Sequence, residues 1–493
     1  MDRSDPAARG LNPERSYPEN GALFEKVEIL FLLAAVLGCV VTLLHVALLV
    51  ALPYQLDFGE GPLLGGAVRV AQGLGAYPPA TQLPYVISPY GPLPYYLAGL
   101  CVKLFGVSFT APRVLGVASG IWCAAMIALL VRHWGGTRLV SLGFGLLYLS
   151  RPVVQFWLPL FRVDLMGLAL SLTGLYIFAK SRHWYLSVPF FVAALFCKFL
   201  LVSGPLACFL YAVFRREIRK AWWFAAGNIT LGALAFLWAQ RETRGWFAFH
   251  TFWANAGHPF SWPWAVTWVH REMISDYFLV VLALTLAYFL RFRPEVSLPL
   301  TYLGVSFLTC FARGKWGANS NYSLEWQAAL CLCAGVAYHF LRAQSDCRSL
   351  VYPLLPATLA AMLVVGLRNP NPDPTNDSGC RQAYQYVKDY PGGRILSEDL
   401  GAVVTAGKFS PVFEPFDWTR EVVDKGWPDT EIVNLIRSHQ IDLIVLQRPV
   451  GRQTVQLRWP NSVEDAIEQN YRLVQVFDCY DARYVYQPKG LPE

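Results

Sequence analysis

Apolar residues along this chain gather in blocks instead of alternating. The first block, Ile29–Leu52, is followed by others at about 93–107, 113–131, 138–150, 164–180, 186–197, 199–214, 221–240, 273–291, 296–312, 324–341 and 350–367. Many approach the roughly 17–25 residues that a helix needs to cross a ~30 Å hydrocarbon core. The pattern predicts a polytopic α-helical membrane protein of 11–13 transmembrane helices over residues 28–367, with a long first loop at 53–92 rich in proline, glycine and tyrosine. The first block is too long and too deep in the chain for a cleaved signal peptide. Residues 1–27 are polar and read as a cytoplasmic tail without a core.

Past residue 367 the blocks stop. NPNPDPTNDSG is turn-rich, so 368–380 is read as a linker and 381–493 as a small soluble α/β domain. Strand-like runs occur at GRILSE (393–398), DLIVLQ (442–447) and RLVQVFD (472–478). Between the first two, Ile432, Leu435, Ile436 and His439 recur at helical spacing. Alternation of this kind points to α/β packing.

Charge orients the blocks. RREIRK (215–220), RFR (291–293), KSRH (180–183) and the loop Arg342–Arg348 are predicted cytoplasmic, because short loops rich in Lys and Arg stay inside. Counting outward places residues 151–163, 241–272, 313–323 and the C-terminal domain outside. Residues 53–92 join them if the basic tail is inside. An odd number of crossings must then separate the tail from residue 151, yet four blocks intervene, so 138–150 is read as a re-entrant or short paired element. Only 15% of residues are charged and 55% are hydrophobic, and the formal charge is +7. That excess is accounted for by cytoplasmic loops, and nothing calls for nucleic acid as a partner. Of eleven cysteines, eight lie inside apolar blocks and behave as small hydrophobes. Cys380 and Cys479 are the only two in the C-terminal domain. If that domain is extracytoplasmic they are either bridged or two unpaired thiols.

Several polar residues sit where lipid and water meet. QLDFGEG (55–61) follows the first block and carries Asp57 and Glu60, with Gly59 and Gly61 allowing a tight backbone and Pro62 opening a helix at about 62–73. Acids at a membrane edge face a wet cavity or a partner, or are ordinary solvated charges and helix caps. Five tyrosines, Tyr90 among them, and six prolines follow in 77–96, as interfacial anchors or as a path packed on protein. Asp164 starts a later block beside Arg162, where an acid also favours the helix dipole by about 0.3–1 kcal/mol. Lys198 interrupts an apolar run at the tip of a predicted hairpin. A lysine in mid-membrane costs about 2.5–3.5 kcal/mol, so it meets an anion or snorkels to the interface. Arg313 and Lys315 precede Asn321, Tyr322 and Glu325 on a predicted outer loop, against the positive-inside tendency, which favours a phosphate role. Glu325 is a salt-bridge partner for one of those cations or a ligand for a donor sugar. Residues 241–272 hold five tryptophans, an interfacial belt or a lipid-donor groove, together with His258 as a donor, a metal ligand or a structural histidine.

DFGEG after the first block, VRVAQGLGAY beyond it and SPYGPLPYYLAGL at the second together resemble the GT-C glycosyltransferases. The likeness is to the branch holding protein O-mannosyltransferases, lipid A aminoarabinose transferases and RgtA-like transferases. It implies a GT-C-like fold and use of a polyprenyl-phosphate sugar donor in a bacterial inner or plasma membrane. The implied acceptor is a hydroxyl of a glycan, lipid or protein, glycosylated with inversion on the extracytoplasmic side. The family's catalytic carboxylate, carried over, is Asp57 or Glu60; its usual adjacent Asp-Glu pair is here spread over three positions. PLFRVDLMGLALSLTGL (159–175) is similar to the family's second acidic site and implies a role for Asp164, either orienting the acceptor or holding a divalent cation. Lys198, Arg162, Arg313 and Lys315 would face the donor phosphate, and Tyr90, His258, Asn321, Tyr322 and Glu325 the substrates. KWGANSNYSLE (315–325) also resembles a family stretch. A transporter or flippase would likewise carry intramembrane charges, but should show internal hydropathy repeats. A scaffold protein would tolerate loss of Asp57, Glu60 and Asp164.

Overall fold

The computed structural model describes residues 21–290, 297–343, 378–451 and 458–490. The apolar blocks form helices. α1 spans Gly21–Val50, α2 Glu60–Ala71, α3 Pro92–Phe105, α4 Thr110–His133, α5 Arg138–Leu149, α6 Pro152–Trp157 and α7 Asp164–Lys180. They are followed by α8 (Val188–Leu195), α9 (Ser203–Phe214), α10 (Ile218–Glu242), α11 (Trp262–Ser275), α12 (Tyr277–Leu290), α13 (Ser297–Cys310) and α14 (Leu324–Ala343). Among the described residues four stretches are long and apolar enough to cross a membrane unaided: Glu25–Val50, Thr110–His133, Ile218–Glu242 and Ser320–Arg342. The rest are shorter because the sequence interrupts them. The runs expected at 186–197 and 199–214 become α8 and α9, with a non-helical break over 196–202. The run at 138–150 is the short α5, ending at Ser150 before Pro152 begins α6. The block at 350–367 and most of the expected linker lie outside the described residues.

Buried charge inside the bundle is paired, as a medium without water requires. Arg151 pairs with Asp276, and Gln327 bonds to both. Near the other end Arg342 meets Glu28 at 2.9 Å.

Within the first loop, α2 begins at Glu60 and stops at Ala71, where Gly73 and Gly75 take positive φ. The expected helix at 62–73 is shifted by two residues. α3 starts with Pro92 in its first turn, where a missing N–H costs nothing.

The C-terminal region carries a four-stranded sheet in the order β1-β2-β4-β3, with β1 Ile395–Ser397, β2 Leu443–Leu446, β3 Tyr471–Phe477 and β4 Arg483–Pro488. β1 and β2 are parallel (Leu396 opposite Ile444), and β4 runs antiparallel to both its neighbours. The helices of this region are α15 (Ser378–Asp389), α16 (Leu400–Thr405), α17 (Pro415–Lys425), α18 (Thr430–Arg437) and α19 (Asn461–Asn470). Ile432 and Ile436 on α18 are fully buried, as their spacing predicts. Cys380 and Cys479 form a disulfide that ties α15 to the turn after β3.

This region is docked on the first loop through backbone contacts. Tyr85 N donates to Pro411 O (2.8 Å) and Phe413 N to Tyr85 O (3.0 Å). Gly401 N donates to Gln55 Oε1 (2.9 Å), and Tyr480 Oη to Gln55 O (2.8 Å). α16 packs so closely on α2 that a Cβ on Gly61 would stand 2.7 Å from Gly401 N. Only glycine permits that approach.

Candidate active site

The loop after α1 turns tightly enough for Asp57 O to accept from Glu60 N at 3.0 Å, and the turn sends its two carboxylates in different directions. Glu60 points inward and is wholly buried. Its Oε1 accepts from Arg113 Nε (2.9 Å) and Phe161 N (2.7 Å); its Oε2 accepts from Leu56 N (2.6 Å) and Arg113 Nη2 (2.8 Å). Arg113 also donates to the carbonyls of Leu49, Leu52 and Tyr54. The knot thereby closes the end of α1, where carbonyls would otherwise lack partners.

Asp57 faces the other way, into a cavity of about 1010 Å³ between the membrane helices and the C-terminal region. Its Oδ2 accepts from Gly59 N (2.9 Å) and Arg162 Nη1 (2.8 Å). Among the described residues nothing donates to Oδ1. Arg162 spends its other terminal nitrogen on Tyr90 Oη (2.8 Å), and its guanidinium lies 5.4 Å from the Trp157 ring centroid. Burial pushes the Tyr90 phenol well above its ordinary value, so it stays protonated.

Lys198 enters the cavity from the break between α8 and α9. Its Nζ donates to Asp164 Oδ1 (2.6 Å) and stands 4.1 Å from the Tyr322 ring centroid. Asp164 is one layer behind, 4% exposed, and takes a second bond on Oδ1 from Asn321 Nδ2 at 3.0 Å. Its Oδ2 and the Asn321 Oδ1 are buried without hydrogen-bond donors. Lys315 also lines the cavity. Burial lowers its pKa, with Asp417 pulling the other way, and no carboxylate pairs with it among the described residues. Among those residues, no three His, Cys, Asp or Glu side chains gather as a metal site. The Asp164 carboxylate meets a lysine ammonium and an amide, which is a poor fit to a divalent cation.

The cavity therefore unites Asp57, Tyr90, Arg162, Lys198, His258, Lys315, Asn321 and Tyr322, with Asp164 behind them. It does not include Glu60, Arg313 or Glu325. Arg313 is turned toward α11, paired with Glu272 at 2.7 Å and stacked 4.0 Å from the Trp268 centroid. Glu325 is buried beside Ser203, Gly204 and Tyr302, so it partners neither Arg313 nor Lys315.

Other lining residues went unremarked in the sequence. Glu414, Asp417 and Arg458 reach the cavity from the C-terminal region, and Arg458 stacks 3.9 Å from the centroid of Phe58, next to Asp57. Burial and the nearby Asp417 carboxylate push the Glu414 carboxyl well above the usual range. FEPFDW, two acids around a proline in a soluble segment, was the available signal. Arg113, the partner of Glu60, sits at the edge of an apolar block and reads there as the start of a span.

No family model and no curated protein matches this chain. Solved structures do. The structure of ArnT from Cupriavidus metallidurans bound to undecaprenyl phosphate matches with a TM-score of 0.63 at 12% identity, covering 94% of this chain and 99% of that one. The apo form of the same ArnT gives 0.59 at 13% identity, covering 94% and 98%. The architecture is that of these ArnT structures. At this identity the likeness is one of fold, and it covers nearly the whole chain.

Proposed function

We propose that this chain is an integral-membrane glycosyltransferase that moves a sugar from a polyprenyl-phosphate donor to an acceptor hydroxyl, on the extracytoplasmic side and with inversion. The observation that carries the reading is the pairing of a half-free carboxylate, Asp57, with clustered cations in one cavity at the junction of the membrane helices and the C-terminal region. The shared fold with ArnT, whose structure contains undecaprenyl phosphate, supports the donor class. The Cys380–Cys479 disulfide supports an oxidising compartment for the C-terminal region.

In this mechanism the acceptor oxygen attacks the anomeric carbon from the face opposite the phosphate. The bond from that carbon to the phosphate oxygen breaks, and its electron pair leaves on the polyprenyl phosphate. The acceptor proton passes to Asp57 Oδ1, which accepts from no donor among the described residues, while Arg162 and Gly59 hold Oδ2 fixed. A positioned base contributes about 10²–10⁴-fold. Lys315, without a carboxylate partner among the described residues, and Lys198 offset the charge that gathers on the departing phosphate. Asn321 lines the cavity and Asp164 lies behind it, where the pair fixes the Lys198 ammonium at the phosphate end. Glu60 is excluded as the base by its four hydrogen bonds.

The test is purified protein with a panel of radiolabelled polyprenyl-phosphate sugars and a crude envelope extract as acceptor source. Label should move from lipid to acceptor with the wild type and fall to background with Asp57→Asn. Turnover retained by Asp57→Asn would overturn the assignment of the base.

A further inference from the structure

We propose that the cavity wall supplied by the C-terminal region is the acceptor subsite, and that it takes a carbohydrate offering hydroxyl or amino groups, not a phosphate-bearing headgroup. The inference rests on the transferase reading above and adds the acceptor class to it.

Glu414 and Asp417 bracket the start of α17 and both line the cavity. Glu414 Oε2 caps the helix by accepting from Asp417 N, which fixes the two carboxyl groups side by side. Across from them, His258 has a side chain only 4% exposed, with Nε2 3.1 Å from Asp417 Oδ1 yet without a hydrogen bond. That contact holds the imidazole beside the two carboxyl groups at the cavity wall. Phe416 packs its ring 5.2 Å from that of His258, and Gly317, at φ +78°, lets the Trp316 turn close over Phe416. Acids, an imidazole and flat apolar faces together suit a small polyhydroxyl ring, because orientation in such pockets comes from a few placed polar groups on apolar walls.

Charge excludes the alternative. A phosphate on this wall would meet the Asp417 carboxylate, and like charges brought together select against a partner. Two arginines of this region also line the cavity: Arg483 is paired with Asp399 at 3.0 Å, and Arg458 is engaged elsewhere. Its guanidinium lies against Phe58 and Phe416, and its charge acts on Glu414 and Glu398. The same stacking ties this wall to the loop that carries Asp57, so an acceptor held here lies next to the base.

The experiment uses the full chain in nanodiscs, with saturation-transfer NMR to maltotriose (neutral), chitosan trimer (amine-bearing) and glucose 6-phosphate. Binding of undecaprenyl phosphate is measured in parallel. The neutral or amine-bearing sugar should saturate, and E414Q, D417N and H258Q should each raise its half-saturation concentration at least tenfold. Preference for the phosphorylated sugar, binding of no sugar, or unchanged binding in all three variants would overturn the inference. Wild type that fails to bind undecaprenyl phosphate would instead overturn the transferase reading. Size-exclusion elution reports folding, and the three variants on two separate segments keep the test open if one does not fold.

Discussion

Two acids three residues apart, Asp57 and Glu60, belong to regions governed by opposite rules. Around Glu60 every polar atom is consumed: the carboxylate takes four hydrogen bonds and its arginine is closed off by main-chain carbonyls. Around Asp57 one oxygen is held and the other is left open to a cavity. Saturation builds a rigid floor; an unfilled lone pair leaves room for a ligand. An acidic motif read without its partners cannot tell the two apart.

That contrast can be broken at either end. Asp57→Asn should lower transfer by about 10²–10⁴-fold with the folded fraction unchanged, measured as label moved per folded enzyme. Glu60→Ala should do the reverse. It strands the Arg113 guanidinium in the interior, costing about 3–5 kcal/mol in a denaturant titration, while whatever protein folds keeps its specific activity. Arg162→Lys sharpens the comparison, because one ammonium cannot serve both Asp57 and Tyr90 as the guanidinium fork does. A loss of about tenfold in kcat is expected, near the worth of one charge-assisted hydrogen bond.

The smallest effect concerns Glu414 in the opposite wall. Burial first, then Asp417, raises its pKa in the folded state above the ordinary 4.5. The folded chain therefore holds a proton that the unfolded chain releases. This contribution to stability is complete below about pH 4.5 and is lost as pH rises through the raised value. Stability measured from pH 4.5 upward should fall less steeply in E414Q than in the wild type. An equal slope in both would deny the buried, protonated carboxyl.

Much of the architecture was legible in advance, because lipid and water impose long-period patterns. Apolar blocks gave helices, and the runs at 393–398, 442–447 and 472–478 coincide with β1, β2 and β3. β4 was missed: RYVYQP alternates too briefly after a turn to stand out. Helix lengths were less legible. A break such as 196–202 is set by a lysine that needs a partner, and hydropathy averages over it. The site was legible one residue at a time but not as pairs. Asp57, Lys198 and Lys315 could be picked out as charges in the wrong medium, whereas Arg313 looks the same in the sequence and is spent on Glu272, 41 positions away. Arg458 and Glu414 lie in a soluble-looking segment, where charge is ordinary. Only the docking of that segment onto Gln55 and Tyr85 makes them part of the cavity.

The contact between Tyr480 and Gln55 joins residues 425 positions apart. During synthesis the loop bearing Asp57 emerges early, and its cavity lacks one wall until the strands of the C-terminal region are laid against it. A chain cut before Tyr480 would thus leave the Asp57 carboxylate facing bulk water on that side.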